Sequence, residues 1–302
     1  MMAIGPSTPG PQTGQTRAIS TIARAAAAQR EKNSLSDMPP FYHGLLGRQH
    51  RLRLDPPRGP AYARAMPRLI LLRHGQSQWN LENRFTGWVD VDLTAEGEAQ
   101  ATKGGQLIAE AGFKPAVMFT SVLNRAKRTG ALALEAAGLK DVPVIEDWRL
   151  NERHYGGLTG LDKAETAKLH GDEQVKIWRR SYDVPPPPLA PGGEFDFTAD
   201  ARYAGKAIPD TESLKTTLDR VLPYWESDIA PRLKAGEDVL IAAHGNSLRA
   251  IVKHLFDVPD DSIVGVEIPT GNPLEIDLDA DLKPTGARYL DAGRAQPLPA
   301  IG

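Results

Sequence analysis

The sequence predicts an α/β fold on a mostly parallel sheet, preceded by a disordered N-terminal extension. Two apolar runs of strand length carry the first part. Leu69-Ile70-Leu71-Leu72 stops abruptly at Arg73-His74-Gly75, and Val239-Leu240-Ile241-Ala242-Ala243 stops at His244-Gly245. Parallel strands covered on both faces read as unbroken apolar runs, and each run here leads into a stretch that can open a helix. The extension rests on composition. Residues 1–16 are rich in Gly, Pro, Ser, Thr and Gln and have too little to bury to offset the entropy of ordering.

The chain has 302 residues, enough for one large domain or two ordinary ones. Its 41% hydrophobic and 25% charged residues are those of a globular chain with a sizeable core. The net charge of -2 offers no general case for nucleic acid, but residues 1–65 are basic and the remainder is acidic. Absence of cysteine excludes disulfides, thiolate nucleophiles and cysteine metal sites. No apolar run approaches the roughly 18 residues of a membrane helix, so a soluble chain is expected.

Within the extension, residues 17–30 can form a short helix, and Arg48, Arg51, Arg53 and Arg58 alternate with apolar residues and proline. Three readings remain open. An Arg- and Ser-containing, acid-poor start resembles an organelle transit peptide, and a basic arm can bind nucleic acid weakly. The favoured reading makes Met66 the real start, because a strand begins directly after Met66-Pro67. The domain boundary is accordingly set at 66–302.

After the first strand, residues 84–92 read as a polar, glycine-containing loop, and Thr94 caps a helix to about Gly112 despite Gly97, Gly104 and Gly105. Val117-Met118-Phe119-Thr120 is a buried strand, followed at Leu123 by a helix that places Arg125 on an anion-favouring first turn. Val142-Pro143-Val144-Ile145 is a third strand. Leu150 to Gly157 is too densely polar for a core segment and suits a site loop. A helix is expected over about 161–180, ending in Trp178-Arg179-Arg180. Residues 183–210, with Pro185 to Pro188 and Pro191-Gly192-Gly193, form a long irregular loop, a lid or an interface. Asp210-Thr211 caps the next helix, which Pro223 should kink or interrupt. Asn246 or Ser247 caps the helix after His244, with Leu248, Ile251, Val252, Leu255 and Phe256 on its buried face. Residues 264–268 and 274–278 supply the last strands.

Two strand-His-Gly-helix units can bring His74 and His244 to the same edge of one parallel sheet, where ligands bind. Arg73 offers a planar fork suited to phosphate, and Gly75 would let a ligand approach the backbone. With Arg125, Glu152, Lys163, Arg179 and Arg180 they form a constellation of two histidines among cations. A metal site is disfavoured by the competing cations, and a serine hydrolase by the lack of a G-x-S-x-G elbow. Phosphoryl transfer through a phosphohistidine suits the set: one imidazole nitrogen attacks phosphorus while the cations and the other histidine stabilise the equatorial oxygens.

Arg73-His74-Gly75 with His244-Gly245 resembles the histidine phosphatase superfamily. The longer segments RHGQSQWN, NRFTGW, TSVLNRA, LNERHYG, GDEQVKIWRR, PDTESL and AAHGNSLRA are similar to its cofactor-dependent phosphoglycerate mutases, over about residues 67–290. The resemblance implies a three-layer α/β/α architecture and interconversion of 3-phosphoglycerate and 2-phosphoglycerate, with 2,3-bisphosphoglycerate as primer and no metal. It implies His74 as phosphoryl carrier and Glu152 as general acid/base. Arg73, Arg125, His244, Gly245 and Asn246 would surround the phosphoryl group. Asn80, Thr86, Gly87, Arg153, His154, Tyr155, Lys163, Arg179 and Arg180 would hold the remaining substrate. Also implied are small phosphorylated sugar acids as partners, no nucleic acid or membrane, a homo-oligomer and a cytoplasmic location. A phosphatase using the same phosphohistidine is the alternative. Three departures stand out: Gln76 where Glu is frequent, Asp162 where Asn is common, and a short proline-containing tail after Leu290 where relatives use the tail in closing the site.

Overall fold

The computed structural model describes residues 66–301; the expectations for the extension up to residue 65 lie outside the described residues. Six strands form one sheet: β1 (Arg68–Arg73), β2 (Val117–Thr120), β3 (Val144–Glu146), β4 (Val239–Ala243), β5 (Leu274–Leu278) and β6 (Pro284–Tyr289), in the order β3-β2-β4-β1-β5-β6. The pairs β1/β4, β2/β4 and β2/β3 are parallel, and β5 runs antiparallel to both β1 and β6. The mostly parallel sheet is therefore observed.

The helices are α1 (Gln78–Leu81), α2 (Ala95–Glu110), α3 (Asn124–Ala136), α4 (Lys163–His170), α5 (Asp172–Arg180), α6 (Leu214–Tyr224), α7 (Ala230–Lys234) and α8 (Gly245–Leu255). The two-residue period of β1 sorts its side chains into two cores, one on each face. Leu69 and Leu71 join Val221, Tyr224, Leu248 and Ile251 of α6 and α8, whereas Ile70 and Leu72 join Ile108, Ala133 and Leu134 of α2 and α3. All four β1 residues are fully buried, each worth roughly 1.5–3 kcal/mol of apolar burial. Helices on both faces make the three layers.

Thr94 caps α2 as expected, its hydroxyl accepting from Gly97 N–H. The three glycines that weakened this helix on propensity have a packing reason. A Cβ on Gly97, Gly104 or Gly105 would run into the backbone oxygens of Gln76, Gly271 and Ala133, respectively. Gly75 belongs to the same contact, since its Cβ would strike Gly97 O well inside van der Waals distance. What approaches the Gly75 backbone is thus the first turn of α2, not the ligand that the sequence suggested. Gly75→Ala is expected to cost about 3 kcal/mol or more, because rigid backbone must move; a urea midpoint like that of the wild type would contradict this.

Several boundaries differ from expectation. The helix over 161–180 is two helices, broken at Gly171, whose φ of 85° is left-handed and ends α4. Asp162 caps α4 by accepting from Ala164 and Glu165 N–H, so aspartate satisfies the cap at the position where asparagine is common. The cap of α6 is Ser213 in a capping box with Thr216, rather than Asp210-Thr211. The interruption expected at Pro223 is observed: α6 ends at Tyr224 and the chain passes through a π-helical turn, Trp225–Ile229, into α7, a known accommodation of a disrupted ladder. His244 itself occupies the cap of α8, and its N–H donates to Ser247 Oγ. Residues 264–268 are not a strand. They leave a short 3-10 turn, Ser262–Gly265, and cross the strand ends as irregular chain with Ile268 buried.

Candidate active site

Register brings the two histidines level. Arg73 pairs with Ala243, and Thr120 of β2 pairs with Ala242, so His74, His244 and Ser121 all emerge at the C-terminal edge of adjacent strands. The His74 N–H donates to Ala243 O at 2.9 Å. The two imidazoles meet edge to face with centroids 5.1 Å apart. Above them is a cavity of about 190 Å³ lined by Arg73, His74, Asn80, Thr86, Arg125, Glu152, Tyr155, Lys163, Arg179, Arg180, Gly245 and Asn246 from the expected set. Asn83, Arg84, Phe85, Arg249, Glu267 and Ile268 complete its wall.

His74 is 3% exposed, and its Nδ1 lies 2.7 Å from the Gly75 carbonyl. A carbonyl can only accept, so Nδ1 carries the hydrogen and Nε2 keeps its lone pair. Burial, then Arg125 and Arg73, holds the His74 pKa well below the ordinary histidine value. The ring is therefore neutral and nucleophilic at neutral pH. Burial and Arg125 lower the His244 pKa in the same way. His244 Nε2 contacts Ser121 Oγ at 2.7 Å, and that hydroxyl already accepts from Leu123 N–H. Giving the serine hydrogen to Nε2 is the arrangement that leaves the fewest unpaired groups, and it makes His244 Nδ1–H a buried donor with no partner among the described residues.

The cations are fixed by carbonyls rather than carboxylates. Arg125, on the first turn of α3, donates to Gly87 O at 2.7 Å and to Val89 O at 2.8 Å. Burial brings its pKa down to about 10, which keeps it charged at neutral pH. Arg73 donates to Ile268 O at 2.8 Å. Both have a buried Nε with no partner among the described residues. Lys163 donates to Arg84 O, and burial and Arg179 lower its pKa to about 8. Seven Arg and Lys side chains face two carboxylates, Glu152 and Glu267, around the cavity. Such an imbalance in a confined space attracts a multiply charged anion.

Glu152 is 7% exposed and comes from the irregular chain after the 3-10 turn Trp148–Leu150. Its Oε1 accepts from Arg153 N–H at 2.7 Å and from Asn246 N–H at 3.1 Å. Oε2 stands beside Gly245 at the cavity. Asn246 in turn donates to Tyr155 OH and accepts from Arg249 Nη1.

Four residues of the expected set do not line the cavity. Gly87 acts through its carbonyl on Arg125, and His244 lies beneath His74. Arg153 is fully buried and donates to Arg179 O at 3.0 Å. His154 faces away: its ring packs on Trp88 and Phe197, and its Nδ1 accepts from Gly156 N–H at 3.1 Å. Among the wall residues not expected, Arg84 and Arg249 fall within quoted motifs, whereas Glu267 belongs to the segment read as a strand and had no local signal.

The buried His154 carries a pH consequence. Burial lowers its pKa to about 4, so the folded ring stays neutral while an unfolded one protonates below about 6.5. Above that pH both states are neutral and the group is silent. As pH falls from 6.5 toward 4 the unfolded chain takes up the extra proton, and stability should drop by roughly 2 kcal/mol by pH 5 from this group. Chemical denaturation at pH 7 and 5 checks it: His154→Gln should shrink the difference by about that amount, leaving the share of the other buried histidines, and a difference unchanged by that substitution would contradict the assignment.

The profile of the histidine phosphatase superfamily (branch 1) matches residues 69–283. The 2,3-bisphosphoglycerate-dependent phosphoglycerate mutase of Caulobacter sp. (strain K31) is 81% identical over 237 residues, covering 78% of this chain and all of the relative. That of Hyphomonas neptunium is 64% identical over 236 residues, again 78% of this chain and all of the relative. Among solved structures, a mycobacterial glucosyl-3-phosphoglycerate phosphatase with VO3 superposes with a TM-score of 0.57 at 22% identity, over 74% of this chain and 96% of that one; this likeness shows the shared fold. The chain belongs to the histidine phosphatase superfamily and, within it, to the 2,3-bisphosphoglycerate-dependent phosphoglycerate mutases.

Proposed function

We propose that this chain interconverts 3-phosphoglycerate and 2-phosphoglycerate by passing a phosphoryl group through His74. The observation that carries the reading is the neutral His74 with Nδ1–H held by Gly75 O, beneath a cavity with a large excess of cations. The high identity to mutases along their whole length supports it.

The orphaned buried Nε atoms of Arg73 and Arg125 and the seven cations suit a ligand with two phosphates and a carboxylate. When bound, 2,3-bisphosphoglycerate supplies the phosphoryl group that loads His74. Nε2 of His74 forms the bond to phosphorus as the P–O bond breaks. Arg73, Arg125 and the Nδ1–H of His244 offset charge on the equatorial oxygens. Glu152 gives a proton to the departing hydroxyl oxygen and takes one from the hydroxyl that attacks in return. Asn80, Thr86, Tyr155, Lys163, Arg179, Arg180, Gly245 and Asn246 hold the rest of the substrate, while Gly87 and Arg153 act from behind the cavity wall.

Residues 66–302 form the catalytic domain in this reading. A homo-oligomeric state and a cytoplasmic location are carried by the family alone. Among the described residues, no helix is long and apolar enough to cross a membrane.

The test is isomerisation of 3-phosphoglycerate with and without added 2,3-bisphosphoglycerate, with inorganic phosphate followed in parallel. Primer-dependent isomerisation exceeding phosphate release is expected. Release without isomerisation would replace the mutase by a phosphatase.

A further inference from the structure

Two residues outside the cavity hold the segment that carries Glu152. Arg220, on the second turn of α6, and Glu212, just before its cap, form an ion pair at 2.6 Å with side chains 6% and 2% exposed. Arg220 donates to the carbonyls of Arg149 (2.7 Å), Glu152 (3.2 Å) and Asn151 (3.3 Å), and more weakly to that of Trp148. Glu212 takes both Nε and Nη2 of Arg220 and also accepts from His154 N–H at 2.8 Å. The Glu212 N–H donates to His154 O at 2.9 Å. The backbone groups bound by the two side chains all lie between Trp148 and His154, a 3-10 turn and the irregular chain after it, with Glu152 inside.

A burial of this kind is not expected for stability alone, since desolvating two charges offsets much of their attraction. Its geometry has a local purpose. The guanidinium fork binds the carbonyls of Arg149, Asn151 and Glu152, which no helix or strand bond satisfies, that of Glu152 being shared with Trp88 Nε1–H at 2.6 Å, and the carboxylate binds the chain two residues beyond Glu152. We propose that Arg220 and Glu212 are positioning residues that fix the Glu152 carboxylate for proton transfer, leaving the grip on the phosphoryl group at His74 to residues on β1, β4 and α3. The inference rests on the mutase reading. A displacement of Glu152 by about 1 Å is enough to lower a rate by about a hundredfold, whereas the phosphate-binding Arg73 and Arg125 are anchored to other carbonyls, those of Ile268, Gly87 and Val89.

Arg220→Lys and Glu212→Gln test it in the full-length chain. For each, kcat of isomerisation should fall about tenfold or more, KM should change less than about threefold, and 2,3-bisphosphoglycerate should still bring His74 to full phosphorylation, at a rate lowered in step with kcat. In a Glu152→Gln background the same substitutions should cost less than about twofold, because the group they act through is already lost. Glu212→Gln keeps the side-chain shape and supplies the test if Arg220→Lys does not fold. Equal losses in both backgrounds, or a His74 that stays unphosphorylated however long 2,3-bisphosphoglycerate is present, would reduce the pair to a structural role and overturn the proposal. A wild-type chain that loads His74 but does not isomerise would instead remove the mutase reading before any variant is compared.

Discussion

Replacing His74 by alanine is expected to abolish the phosphoenzyme and lower isomerisation by at least about a thousandfold, with the fold intact. The effect is large because no other group can take over. His244, the imidazole next to it, uses Nε2 on Ser121 and has its hydrogen on Nδ1. Neither of its nitrogens offers a free lone pair. The truncation also leaves a space above the α2 contact rather than a clash, so folding should survive. Phosphate transfer from 2,3-bisphosphoglycerate to protein, followed on alkali-quenched samples because a P–N bond is acid-labile and base-stable, gives the answer, and labelling equal to that of the wild type would refute the nucleophile assignment.

Glu152→Gln is expected to behave differently. The amide keeps the shape of the carboxylate and can still accept from Arg153 and Asn246 N–H through its oxygen, but it cannot take up or deliver a proton. Isomerisation should slow by about 10²–10⁴-fold, the usual contribution of general acid/base catalysis, while His74 still becomes phosphorylated, more slowly, because its Nε2 and the surrounding cations are intact. Rapid-quench measurement of phosphoenzyme formation beside steady-state turnover separates the two steps. Turnover within about threefold of wild type would mean that the proton is handled elsewhere.

Much of the fold was legible because its central strands are apolar on both faces. Leu69 to Leu72 and Val239 to Ala243 are fully buried, and a run of that kind between polar stretches allows few other assignments. The edges were harder. Strand β6, Pro284–Tyr289, has proline and glycine, and only Tyr289 in it is buried, so it carries no periodic signal. Residues 264–268 have the apolar composition of a strand, yet they pass from a 3-10 turn into irregular chain at the mouth of the site, with Val266 and Ile268 buried and Val264 and Glu267 exposed. The break between α4 and α5 turns on the left-handed φ of Gly171, which a glycine permits and does not announce.

The site was legible where chemistry coincides with a strand end. His74, His244 and Arg125 each follow a buried strand in the sequence, and the register places them together. Residues from irregular segments were placed less well by their order alone. Glu152 and His154 share one motif and are two residues apart, but the first reaches the cavity while the second packs against Trp88 and Phe197. Glu267 reaches the cavity from a part of the chain without any polar motif. The loop over 183–210, expected as a lid or an interface, is tied down at Tyr203, whose hydroxyl accepts from Asn151, and at Arg202, which pairs with Asp90.

The central claim is that His74 carries the phosphoryl group through Nε2, the nitrogen left free by the Gly75 carbonyl. Phosphorus-coupled nitrogen NMR of the chain loaded with 2,3-bisphosphoglycerate and labelled in histidine reads this directly. Coupling to one histidine nitrogen, Nε2, lost in His74→Ala, is the expected result. Coupling to Nδ1, or a coupled signal that persists without His74, would contradict it.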